Sequence, residues 1–151
     1  MTVKGAKQGV FKGGSGQKAN VMTCIAFDMS LVSPRDAATG QAGGKRQWKP
    51  ITVTKEWDAS SPQFFEAAAT NEILTQVVID FSRRSPNGTI DVFYTVTLTD
   101  ASVTQIDQTD SLLNLRDAPN MAAEKISFTF RKIEIEEKTG KTTYVDDWTA
   151  R

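Results

Sequence analysis

Apolar and polar residues alternate with period two through most of this 151-residue chain, the spacing of strands that bury one face. In ITVTKEW, Ile51, Val53 and Trp57 share one side, and Thr52, Thr54 and Glu56 the other. ILTQVVIDF groups Ile73, Val77, Ile79 and Phe81; IDVFYTVTL groups Ile90, Val92, Tyr94, Val96 and Leu98. Both runs are rich in β-branched and aromatic residues. Between them, Asn87-Gly88 supplies two positive-φ positions for a tight hairpin, which predicts an antiparallel pair. Val21, Thr23, Ile25 and Phe27 alternate likewise. Short pieces around Val10-Phe11 and from Thr142 to Trp148 predict further strands.

Ile126, Phe128 and Phe130 alternate, but Ile133 and Ile135 are out of phase with them. A slip near Arg131-Lys132 predicts a bulge or a strand that passes from one sheet to another, as barrels use to turn corners. One segment reads as helix: Ser61 as N-cap, Pro62 at the first helical position, then FFEAAA, for two to three turns. Ser111 to Arg116 is a weaker helical candidate, closed by Pro119, and Gln105 to Met121 reads mostly as loop. The expected fold is mainly β, a compact β-barrel of two antiparallel sheets with one short flanking α-helix and long extended loops, in a single domain spanning residues 1–151.

The interruption that stands out is the run from Ser33 to Pro50, polar and broken by Pro34, Gly40, Gly43, Gly44 and Pro50. A connection this long is uncommon in a small domain and usually functional or disordered. Lys45, Arg46 and Lys49 surround Trp48. Basic groups beside an aromatic ring suit single-stranded nucleic acid, yet three charges make a weak signal, whereas Arg and Trp are enriched at protein contacts. Protein contact is the better reading.

Composition narrows the chemistry. Eighteen basic and 18 acidic side chains cancel, so no global field draws nucleic acid or an anionic membrane. Histidine is absent, which removes the usual imidazole base and the commonest metal ligand. Cys24, the single cysteine, suits a reducing compartment and inert packing. The carboxylates Glu134, Glu136, Glu137, Asp146 and Asp147 read as solvated surface rather than as a catalytic pair. No phosphate-loop spacing occurs in the glycine-rich pieces. The N-terminus has no signal-peptide pattern, and no window approaches the roughly 20 apolar residues of a membrane span. Cytoplasmic synthesis without cofactor or metal, and export by some other route if exported, are the expectations.

PRDAATGQAGGKRQWKPITVTKEWDASSP, from Pro34 to Pro62, resembles the signature region of the Hcp family, the haemolysin-coregulated tube proteins of bacterial type VI secretion. QGVFKG, NEILTQVVIDFSRR, YTVTLTDASVTQI, EKISFTFRKIEIE and the late DDW follow that family's order along nearly the whole chain. Trp48 departs from it, since many members carry histidine there. The resemblance implies a non-enzymatic structural subunit whose homohexameric rings stack into a hollow tube. It also implies partners: a contractile sheath and baseplate, a spike protein at the tip, and effectors in the lumen, with secretion through the apparatus and no membrane insertion. A closed ring needs a heterologous interface, and neutral charge lets copies stack without repulsion. Arg35, Asp36, Lys45, Arg46 and Trp48 are the candidate ring-to-ring contacts. An oligonucleotide- or carbohydrate-binding barrel and a phage-type tail-tube protein are the alternatives.

Overall fold

The computed structural model describes residues 1–14, 18–110 and 122–149. Along them run β1 (Thr2–Gly5), β2 (Gly9–Val10), β3 (Cys24–Asp28), β4 (Leu31–Val32), β5 (Gln47–Trp48), β6 (Ile51–Glu56), α1 (Ser61–Thr70), β7 (Leu74–Arg84), β8 (Ile90–Thr109), β9 (Ala123–Glu137) and β10 (Thr142–Asp147). The mainly β architecture with one short helix is as expected. Its two antiparallel sheets have eight and two strands, in the order β2-β1-β7-β8-β9-β6-β3, with β10 also on β9, and β4-β5 apart.

The hydrogen-bonded path of the large sheet does not close among the described residues, but its ends approach. Met1 and Met22 exchange two backbone bonds of 2.8 Å, and Phe27 meets Phe81 edge to face at 5.0 Å. The curled inner face buries Val3, Ile51, Val53, Leu74, Val77, Val96, Leu98, Ile126, Phe128 and Ile133. Phe64 of α1 plugs this core between Phe11 and Phe128.

The phase slip in β9 has a concrete origin. β8 pairs with β9 along its length, but the other edge of β9 is shared: residues 123–128 pair with β6 and residues 132–137 with β10. Asp100, at φ 50°, sits where the two halves meet and holds Arg131 at 2.8 Å. Between β6 and β10 a notch opens beside Thr129, Phe130 and Arg131.

Several local expectations change. Lys55, rather than Trp57, completes the inward face of β6: Lys55 is fully buried, whereas Trp57 lies beyond the strand end, exposed, with its indole N–H on Ala123 O at 3.1 Å. The Lys55 ammonium meets Glu124 Oε1 at 2.6 Å and Asp58 Oδ1 at 2.8 Å. Glu124 also accepts from Ser61 Oγ and Gln108 Nε2. Ser61 therefore serves this cluster as the first helical residue, and Ser60 is the N-cap. Gln105 to Thr109 belongs to β8, not to a loop; the helical candidate from Ser111 to Arg116 lies outside the described residues.

The hairpin tip also differs in kind. Gly88 N bonds Ser85 O across Pro86-Asn87, and Gly88 alone takes positive φ, at 87°. This is a three-residue loop with a left-handed closing position, and Asn87 instead accepts from Thr89 N and Oγ1. β1 was not expected from TVKG; it forms as a strand because β7 supplies a ladder, with Val3 opposite Val77.

Candidate functional site

The 33–50 loop folds on itself as a ribbon. β4 and β5 pair at its base, with Leu31 opposite Trp48 and Val32 opposite Gln47. Farther out Arg35 and Ala42 form a bridge, and Asp36 N, Gly40 N and Gly43 N bond Gln41 O, Asp36 O and Pro34 O at 2.8–2.9 Å. Asp36 Oδ1 gathers Ala38 N, Thr39 N and Thr39 Oγ1. These bonds, that from Thr39 N foremost, hold its carboxyl below the usual range because they stabilise the charged form.

The five contact candidates divide into two groups. Arg35, Asp36 and Lys45 are exposed on the outer ribbon. Arg46 and Trp48 sit at its base and turn back onto the barrel. Arg46 grips Asp146 through Nε to Oδ2 at 2.5 Å and through Nη2 to Oδ1, a bidentate pair, the strongest class of side-chain hydrogen bond. The Trp48 indole N–H donates to the same carboxylate at 2.9 Å, and its ring meets Phe130 edge to face at 5.7 Å. Tyr144 Oη lies 3.4 Å from Asp146 Oδ2.

Asp146 therefore corrects the solvated-surface reading: the residue is 5% exposed and receives donors from 98 and 100 residues away. Its neighbour Asp147 holds Arg131 Nη1 at 2.8 Å. The notch beside this clamp is an open cleft of about 490 Å³, lined by Trp48, Pro50, Phe130, Arg131 and Trp148 among others. Glu137, by contrast, closes the β9–β10 turn through Thr139 N and Gly140 N. Burial pushes the Cys24 thiol up, which keeps it in the unreactive protonated form.

The Arg46 guanidinium holds the Asp146 carboxyl down at about 2, against burial, with help from Trp48 and Tyr144. A carboxyl whose folded value is depressed contributes stability above its unfolded value, about 3.9, and loses it as pH falls through the folded one. The clamp should be intact at pH 5, lose its stabilising effect as pH falls below about 4, and open with a midpoint of about 2. The Trp48 indole resonance followed by NMR checks this; a midpoint near 4 would show that Arg46 does not hold the carboxylate in solution.

Comparison with known proteins bears on the family and the fold. The family described as "Type VI secretion system effector, Hcp" matches residues 1–136. The chain belongs to the Hcp family. It is similar to the "Major exported protein" of Pseudomonas aeruginosa, at 33% identity over 98% of this chain and 93% of the relative. A crystal structure of an Hcp protein superposes with a TM-score of 0.88 at 25% identity, covering 97% of this chain and 96% of the other. The secreted protein Hcp3 of Pseudomonas aeruginosa gives 0.75 at 27% identity, covering 97% and 96%.

The Hcp match ends one residue before Glu137, so Tyr144, Asp146 and Trp148 lie outside it, and sequence reasoning gave Asp146 no role in the loop. The available signal was Arg46 two residues before Trp48: side chains i and i+2 of a strand share a face, and a guanidinium and an indole N–H on one face call for a common acceptor.

Proposed function

We propose that this chain is a non-enzymatic tube subunit of a type VI secretion system: six copies close into a ring, rings stack into a hollow tube, and the tube is exported with effector proteins. The family match over residues 1–136 carries this reading. The exposed ribbon with Arg35, Asp36 and Lys45 supports a contact between rings, because its internal bonds present a preformed surface whose ordering cost is already met. Arg46 and Trp48 serve that contact from the base. The sheath and baseplate, the spike and luminal effectors are the partners the tube requires.

Nucleic acid is disfavoured for a specific reason. Arg46 is neutralised by Asp146 and Trp48 lies edge-on to Phe130, which leaves Lys45 and Lys49 without the stacking platform that single-strand binding uses. Electron microscopy of the purified protein tests the proposal. Sixfold rings and end-to-end stacks are expected; a strict monomer at high concentration and at every salt concentration would overturn it.

A further inference from the structure

The outer ribbon is held together by its own bonds. Those bonds do not by themselves set its angle to the large sheet. Its two ends enter through Ser30 and Lys49, joined by a backbone bond of 3.0 Å, as a two-stranded ribbon continuing the β3–β6 pair. Among the described residues, every side-chain hydrogen bond from the 33–50 loop to the barrel ends on one carboxylate, that of Asp146. That carboxylate stands at the end of β10, a strand whose described pairing is with β9 alone.

We propose that Asp146 is the positioning residue of the 33–50 loop: through Arg46 and the Trp48 indole it sets the direction in which the ribbon leaves the barrel, and hence whether one ring can seat on the next. This rests on the tube reading above. The geometry suits orientation more than stability. Arg46 keeps 48% of its side chain exposed, and a half-solvated ion pair adds little net stability, whereas a planar two-bond pair plus a third donor fixes direction. The Trp48 ring on Phe130 removes the remaining rotation. β10 and the loop thereby form one unit, although 98 residues separate Trp48 from Asp146.

The test uses the full chain with Asp146→Ala, Asp146→Asn and the exchange Arg46→Asp/Asp146→Arg. Ring formation is read by analytical ultracentrifugation, stacking by electron microscopy, and loop placement by hydrogen exchange of residues 34–44. Asp146→Ala should leave rings intact, reduce stacking about tenfold or more, the equivalent of about 1.4 kcal/mol, and accelerate loop exchange while β6 to β9 are unchanged. Asp146→Asn, which keeps an acceptor for Trp48, should fall between, and the charge exchange should recover part of the stacking. Stacking and loop exchange equal to the parent in Asp146→Ala would overturn the proposal. So would faster exchange throughout the barrel, which marks a merely structural role. Should Asp146→Ala fail to fold, Asp146→Asn and the exchange carry the same comparison. If the parent itself forms no rings, the tube reading falls, and loop-confined exchange alone then decides for or against Asp146.

Discussion

Lys55→Met is expected to cost the fold about 3–5 kcal/mol, the usual penalty for removing one partner of a buried ion pair. The ammonium is fully buried, and so is the Glu124 carboxylate 2.6 Å away. Methionine fills the space but leaves Glu124 to Ser61 and Gln108, and Asp58 to Ser60. A negative charge without its counter-ion in that setting must be protonated or hydrated, and either route opens the junction between β6, α1 and β9. Urea unfolding measures the loss. Adding Glu124→Gln should return at least about 1 kcal/mol, because residues within one network are not additive. A loss below about 1 kcal/mol for Lys55→Met would mean that water reaches the cluster.

Phe64→Ala should be comparably damaging, about 3–5 kcal/mol for truncating a buried aromatic. The ring lies 5.0 Å from Phe11 and 6.0 Å from Phe128, both edge to face, so its removal unpairs two aromatic contacts as well as opening a cavity. Phe65, the next residue, is 45% exposed, and Phe65→Ala should stay within about 0.5 kcal/mol. The pair of variants reads out which face of α1 is inward. Equal costs by thermal unfolding would show that the helix docks in another rotation.

The strands of the central sheet were legible because each buries one face, and Val96, Leu98, Ile126 and Phe128 all fall where alternation places them. Alternation failed at the bulges. The β7–β8 register shifts between Phe81 and Ser82, and beyond it Ile90, expected inward, is 69% exposed. At the other end of β7, Leu74 is buried and Ile73 is not. A period-two pattern carries no record of where a strand slips or ends, so residues past either point are misplaced, Trp57 beyond the end of β6 among them. Charged residues failed differently. Asp146 reads as solvated surface and Lys55 carries no signal, because a charge is buried only with a partner, and their partners Arg46 and Glu124 lie far away in sequence. The loop's existence is plain from its composition; that Arg46 and Trp48 share a face calls for an acceptor, but which one depends on a tertiary contact with Asp146, 100 and 98 residues away.

The junction at Asp100 and Arg131 bears on how the molecule comes apart. β8 and β9 each run through both halves of the curled sheet, lending one stretch to the side closed by β6 and another to the side closed by β10. The two halves share β8 and β9, so the large sheet is expected to unfold in one cooperative transition, with the 33–50 loop free to loosen before it.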